Sequence, residues 1–361
     1  MPLTDYITLG RSGLRVSPLC MGAMTFGQEW GFGATPEDSY KLIDAYLDAG
    51  GNFIDTANIY NKGHAEKILG DHLCSDPNKR DRVVIASKFG GTLYADDPNA
   101  GGSGRKSIIA ACEQSLRRLR TDYIDLYWMH FWDKHTPIEE SMRAFDDLVR
   151  SGKVRYIGFS DTPAWTCAQA QVLAQFKDWP PIAAVQLEYS LIERTLESEF
   201  IQMTAELGMG ICPWSPLKGG ILSGKYTREQ TPEQGEGRYK EDSRYLTEKT
   251  FTIIEALVTI GKEINASPAQ IALKWVQDRP GITSTIIGAR TMEQLHANLA
   301  ALELALSPEH TTLLNDLSEP TLSNPTPFLT TIGVAIHGGL SINGEAPEAW
   351  PLCPKSDDEV Y

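Results

Sequence analysis

From about residue 17, short runs rich in β-branched and aromatic residues alternate with longer stretches in which apolar positions recur at a helical period. That alternation predicts repeated strand–helix units around a parallel sheet. Eight strands are expected, at Pro18 to Gly22, Asn52 to Asp55, Val83 to Lys88, Tyr123 to Met129, Val154 to Ser160, Ala184 to Tyr189, Ile211 to Trp214 and Ser284 to Ile287. Helix starts between them are marked by Thr35-Pro36-Glu37-Asp38, Thr136-Pro137-Ile138-Glu139 and Ser267-Pro268-Ala269-Gln270, each a capping residue followed by proline at the first helical position. Gly50-Gly51, Ser151-Gly152 and Arg279-Pro280-Gly281 mark the matching ends.

Eight parallel strands fit either a closed barrel or an open doubly wound sheet, and the polar residues decide between them. An open sheet calls for a glycine-rich phosphate turn after its first strand, but Met21-Gly22-Ala23-Met24-Thr25-Phe26-Gly27 does not read as G-x-G-x-x-G. Polar side chains stand instead where several different strands give way to loops. Asp55 closes one run, Lys88 the next and His130 follows a third, with Tyr60 in the loop after Asp55. This is the C-terminal-face pattern of an α/β (β/α)₈ TIM barrel.

Three segments fall outside the repeat. Tyr6 to Val16, with Arg11-Ser12-Gly13 at its centre, reads as a β-hairpin able to close the barrel floor. Phe89 to Arg105 and Lys218 to Arg244 read as long loops over the C-terminal face. The barrel is expected over residues 1–316, followed at 317–361 by a Pro- and Gly-rich tail, either folded over the barrel mouth or disordered.

Composition narrows the class further. A chain of 361 residues, 42% hydrophobic, can bury a large core, and its net charge of −14 argues against a nucleic-acid surface. The six cysteines show no C-x-x-C pair and no histidine at metal spacing, so reduced thiols are expected and no metal site is read. No secretion signal and no apolar run of membrane length is present, which makes cytoplasm the expected location.

The four polar residues suggest proton transfer. A phenol ordinarily titrates near ~10, and a neighbouring ammonium would make Tyr60 more acidic. Lys88 can supply that charge if Asp55 holds it by a charge-assisted hydrogen bond, and His130 can orient a carbonyl oxygen toward Tyr60. With no nucleophile elbow, carboxylate pair or metal cluster in the sequence, the electrons are expected from a hydride-donating cofactor.

These residues lie in Phe53-Ile54-Asp55-Thr56-Ala57-Asn58-Ile59-Tyr60, Ala86-Ser87-Lys88, Trp128-Met129-His130 and Ile157-Gly158-Phe159-Ser160. Through them the chain resembles the aldo-keto reductases from Leu9 to about Leu302, with greatest similarity to tailed bacterial and fungal members and to potassium-channel β-subunits. The resemblance implies a barrel that binds NADP without a Rossmann motif and reversibly reduces an aldehyde or ketone. Tyr60 is then the general acid, Asp55 and Lys88 its supporting pair, and His130 the substrate-orienting residue.

For the cofactor, the resemblance implies Ser160, Asp161 and Gln186 at the nicotinamide carboxamide and Trp214 on the nicotinamide ring. Ser215, Leu217, Gly219 and Lys225 are implied at the pyrophosphate, and Gly288, Arg290, Gln294 and Asn298 at the adenosine end. Gly22 and Met24 complete the set. Arg290 is the natural partner for a 2′-phosphate, which favours NADPH.

Two positions depart from the family pattern: Asp161 stands where many relatives place Asn or Arg, and Ala297 where channel-type relatives have an acidic residue. The loop around Arg238 is left unassigned. Trp30, Phe89, Phe131 and Trp132 are expected to line an apolar substrate pocket with Tyr60 and His130. Two alternatives stay open, a redox-sensing cofactor-binding subunit similar to potassium-channel β-subunits and a barrel isomerase or lyase working without nicotinamide. A small carbonyl compound is the expected partner, and the oligomeric state is not read.

Overall fold

A computed structural model describes residues 1–230, 239–240 and 242–360. Arg238, within the long loop expected at Lys218 to Arg244, lies outside the described residues.

The hairpin forms first: β1 (Ile7–Thr8) pairs antiparallel with β2 (Arg15–Val16). Eight parallel strands follow, β3 (Leu19–Gly22), β4 (Phe53–Asp55), β5 (Val84–Phe89), β6 (Ile124–Met129), β7 (Val154–Ser160), β8 (Ile182–Glu188), β9 (Gly210–Trp214) and β10 (Thr285–Ile287). From β3 to β9 each strand pairs with the next in sequence, and β10 returns to pair with β3. The seam between β9 and β10 is narrowed by bonds from the amides of Thr283 and Ser284 to the Ile211 carbonyl, giving a nearly closed (β/α)₈ barrel.

All eight expected strands are present, with ends moved by a residue or two. The sixth starts earlier than expected, at Ile182, because the Gln171 side chain accepts a bond from the Ile182 amide (2.8 Å) and pins the chain just after Pro180-Pro181. Thr35 and Ser267 cap their helices as expected, Ser267 in a reciprocal box with Gln270. Thr136 does not cap the helix Ile138–Arg150; its hydroxyl donates to Asp133 instead (2.6 Å).

Alternation along the strands sorts side chains into two cores. Ile54, Ile85, Tyr127, Ile157 and Val185 face the surrounding helices. Phe53, Val84, Ala86, Leu126, Trp128, Ala184 and Cys212 fill the barrel interior, with Leu9 and Val16 of the hairpin joining them. Gly10 shows how close the hairpin lies, since a Cβ there would stand 2.3 Å from the Ala183 carbonyl and 2.7 Å from the Gly210 nitrogen, where β8 and β9 begin. The hairpin therefore closes the floor opposite the strand ends, as expected.

The same alternation delivers the site. Asp55 is two residues past the inward Phe53, Lys88 two past Ala86, and His130 two past Trp128. Beyond the barrel, the Arg194 guanidinium ties the helix Pro308–Leu317 and the start of the last segment to the barrel through the Asn315 carbonyl (2.9 Å) and the Ser318 hydroxyl (2.7 Å). Thr326 continues the attachment by donating to the Ser198 carbonyl (2.6 Å).

Trp128 occupies the interior at the level of Lys88, and Gly158 on the adjacent strand makes room for it. A Cβ at Gly158 would meet two indole carbons at 2.3 Å. Gly158→Ala is therefore expected to destabilise the fold by about 1–3 kcal/mol through overpacking, seen as a lower urea midpoint at unchanged slope. An unchanged midpoint would mean that the indole has slack the packing does not show.

Candidate active site

At the C-terminal ends of β4 and β5, the Lys88 ammonium is fully buried and ion-paired with Asp55. It also donates to the Thr56 carbonyl at 3.2 Å and to the Tyr60 hydroxyl at 3.0 Å. The second Asp55 oxygen accepts from the Gln186 side-chain amide at 3.0 Å. The Trp128 indole N–H, without a hydrogen-bond partner among the described residues, adds its pull on the same carboxylate. Lysine, carboxylate and phenol thus form one linked cluster whose centre is closed to solvent.

Burial opposes the charge on Lys88, but Asp55 and Tyr60 outweigh it and hold the ammonium well above the ordinary lysine range. Burial lifts the Asp55 carboxyl as well, against the pull of Lys88, Gln186 and Trp128. Tyr60 departs from the sequence expectation. Lys88 does draw its phenol toward acidity, but burial is the larger effect, and the net shift is upward. The sequence shows the ammonium and gives no measure of how deeply the ring is enclosed. In the protein alone Tyr60 is a protonated phenol at neutral pH, suited to give a proton rather than take one.

His130 packs beside it, its ring edge-on to Tyr60 with centroids 5.8 Å apart. Burial, then the Lys88 charge, push its imidazole down to about 2, so it is neutral in ordinary buffers. Its Nδ1 is buried without a partner among the described residues. Phe131 stacks on the His130 ring at 4.3 Å, and Trp30 stands edge-on to Tyr60 at 6.0 Å. Trp30, Phe131 and Trp132 are exposed at the mouth. Phe89 is not with them. One residue past the inward Lys88, it points into the helix layer, fully buried against Tyr127 and Phe145. The expectation that it touches substrate is corrected by strand alternation, a signal the sequence already carried.

Tyr60 is held by a backbone feature that sequence reasoning missed. Asn61, Lys62 and Gly63 all have left-handed φ values, 47°, 59° and 89°. The buried Asn61 side chain fixes the turn by donating to the Met24 and Phe26 carbonyls (3.1 and 2.8 Å) and accepting from the Trp30 amide (3.1 Å). Asparagine and glycine are the residues that tolerate this conformation, so Asn61-Lys62-Gly63 was the available signal.

The expected cofactor residues ring the same mouth. Ser160 and Gln186 face each other across β7 and β8, and the Ser160 side chain makes no hydrogen bond among the described residues. Asp161 follows Ser160, its carboxylate accepting the Trp214 indole N–H at 3.1 Å. Ser215 takes a left-handed φ, as do Lys218, Gly219 and Gly220, so the chain after Trp214 turns sharply. Lys218 is buried on Glu188 and lies over the Tyr245 ring at 4.2 Å. This ion pair was not foreseen. Lys225 has its ammonium 5.7 Å from the Tyr226 ring centroid.

After β10, Asn298 donates to the Gly288 carbonyl (3.1 Å) and Gln294 accepts from the Arg290 amide (2.8 Å), which shapes the start of the helix Met292–Ala300. The Arg290 guanidinium has no ion-pair partner among the described residues. Gly22 lies beside Asp55 in the β3–β4 register, and the carbonyl of Met24 is one of those held by Asn61. Leu217 sits on the turn after Trp214, its carbonyl accepting from the Gly220 and Leu222 amides. These residues fall at or near the strand ends of one barrel face, with the Phe89 ring turned away from it into the helix layer.

All six cysteines are unpaired, five of them at least partly buried. Among the described residues there is no group of three metal-ligating side chains, and no helix is long and apolar enough to cross a membrane.

The sequence profile of the Aldo/keto reductase family matches residues 18–319. An uncharacterized oxidoreductase of Bacillus subtilis, YrpG, is 38% identical over 322 residues, covering 87% of this chain and 95% of the relative. An aryl-alcohol dehydrogenase [NADP(+)] of Phanerodontia chrysosporium is 36% identical over 84% of this chain and 83% of its own length. The norsolorinic acid reductase stcV of Emericella nidulans is 36% identical over 88% and 82%. A profile spanning the whole barrel, with relatives this similar over most of their lengths, establishes that the chain belongs to the aldo/keto reductase family and is an oxidoreductase.

Proposed function

We propose that this protein catalyses the reversible NADPH-dependent reduction of an aldehyde or ketone, with Tyr60 as proton donor. The observation that carries the reading is the Lys88 ammonium, bonded at once to Asp55 and, at 3.0 Å, to the Tyr60 hydroxyl. When bound, the nicotinamide supplies a hydride to the carbonyl carbon. The residues of this chain handle the charge that then appears on the carbonyl oxygen. Tyr60 gives that oxygen its proton, and Lys88 stabilises the phenolate left behind. Asp55 keeps Lys88 in place and charged. Neutral His130 orients the carbonyl oxygen, and no step needs it protonated. In the oxidation direction the same Tyr60 must first lose its proton, which its upward shift makes harder.

The donor set fits a dinucleotide. Ser160 offers an unengaged hydroxyl and Gln186 a carbonyl oxygen at one end of the mouth, with the Trp214 indole presenting a flat face beside them. Ser215, Leu217, Gly219 and Lys225 would meet the pyrophosphate, and Gly288, Arg290, Gln294 and Asn298 the adenosine end, with Gly22 and Met24 contributing at the base. The aromatic rim of Trp30, Phe131 and Trp132 supports an aryl or similarly flat carbonyl substrate. The names of two relatives, an aryl-alcohol dehydrogenase and a norsolorinic acid reductase, support the same class.

Tyr60→Phe is expected to lower turnover of an aromatic aldehyde by about 10²–10⁴-fold while leaving the NADPH dissociation constant within about threefold. Near-normal turnover in that variant would remove Tyr60 from the mechanism. Arg290→Leu is expected to weaken NADPH by about tenfold or more, through loss of a charge-assisted phosphate contact, and to leave NADH affinity unchanged. Equal weakening of both cofactors in a binding titration would take the 2′-phosphate role away from Arg290.

A further inference from the structure

Asp161 occupies an unusual position at the mouth. Its amide donates to the Gln186 carbonyl (3.2 Å), its carbonyl accepts from the Trp132 amide (3.4 Å), and its carboxylate accepts the Trp214 indole N–H. The backbone there is left-handed, with φ 42°. Asparagine suits that conformation at least as well as aspartate, and its amide oxygen would accept the same indole bond. Neither backbone geometry nor hydrogen bonding therefore accounts for the acid. What aspartate adds is a negative charge, beside the aromatic ring on which a nicotinamide would lie.

We propose that Asp161 sets the redox balance of the bound cofactor, its carboxylate favouring the cationic oxidised nicotinamide over the neutral reduced form and so making bound NADPH the stronger hydride donor. This rests on the cofactor reading above. Hydride leaves the neutral dihydronicotinamide with two electrons, the ring becomes a cation, the carbonyl carbon takes the hydride, and the oxygen takes its proton from Tyr60. Only the ring changes charge beside Asp161. A unit charge within about 8 Å of another, at the effective dielectric of about 20–40 of a partly solvated site, changes an affinity by about tenfold.

The carboxyl itself titrates in an accessible range. Its outer side opens onto the solvent of the mouth, but protein encloses the rest, and burial together with the Glu188 charge pushes it up to about 6 against the pull of the Trp214 N–H and Lys88. Four of the groups around it, Lys88, His130, Tyr60 and Asp133, hold one charge state near that pH. Lys88 stays an ammonium paired with Asp55, and His130 stays neutral. Tyr60 stays a phenol, Glu188 is tied to Lys218, and Asp133, on the loop of Trp132, is held below the usual carboxylate range by its own hydrogen bonds.

The test measures the dissociation constants of NADP⁺ and NADPH, by quenching of tryptophan emission or calorimetry, for the wild-type protein and Asp161→Asn from about pH 5 to about pH 8. Near pH 8 the ratio of the NADP⁺ constant to the NADPH constant should be about tenfold lower in the wild type than in the variant. As pH falls through about 6 the wild-type ratio should rise toward that of the variant, because protonation removes the charge. The 2′-phosphate is common to both cofactors and cancels in the ratio. The wild-type pH series carries the test even if the variant folds poorly. A ratio that is equal in the two proteins, or flat with pH in the wild type, overturns the proposal. Failure of either cofactor to bind the wild type would instead sink the cofactor reading beneath it.

Discussion

A lysine ammonium with no exposed surface can stay charged inside a barrel only if something replaces the water it has lost. Here three oxygens do so: the Asp55 carboxylate, the Thr56 carbonyl and the Tyr60 hydroxyl. Removing one member of such a cluster leaves an uncompensated buried charge, so the arrangement fixes its own geometry. Every other feature of the site is read from it. The phenol points where Lys88 holds it, Asp55 is clamped from its other side by Gln186, and the imidazole of His130 is kept neutral by burial and by this positive charge.

The barrel makes this constraint possible through simple alternation. Phe53, Ala86 and Trp128 fill the interior below, and the next inward positions on their chains, Asp55, Lys88 and His130, emerge above them. The apolar plug excludes water from beneath the cluster, which strengthens each polar contact within it. Above the plug, the Asn61-Lys62-Gly63 turn and its bonds to Met24, Phe26 and Trp30 hold the chain next to Tyr60, whose hydroxyl reaches Lys88, and set one wall of the mouth at the same time. The strands and a strained turn pinned by the Asn61 side chain therefore act on opposite sides of one phenol.

Much of this could be read in the sequence, for identifiable reasons. Strand positions and the hairpin followed from period and punctuation, which are local signals, and Asp55, Lys88 and His130 stood out at strand ends, with Tyr60 in the loop after Asp55. What escaped was set by tertiary packing. The enclosure of Tyr60, which turns its expected acid shift into a net upward one, depends on residues distant in the chain. The Lys218–Glu188 pair joins the end of β8 to the turn after Trp214, with no sequence pattern to link them. Phe89 is a different case, because alternation from Lys88 already assigned it to the helix side and its aromatic character drew it wrongly toward the substrate.

The most direct measurement of the central interaction is the titration of Tyr60 itself, followed by ¹³C resonance of its ring carbon bearing the hydroxyl, in the wild-type protein and in Lys88→Met, over the pH range in which both keep native far-UV spectra. If the ammonium stabilises the phenolate against the cost of burial, Tyr60 will begin to ionise at a pH lower by about one unit or more in the wild type than in the variant. Ionisation at the same pH in both would contradict the account, because the contact between Lys88 and Tyr60 would then carry no charge stabilisation.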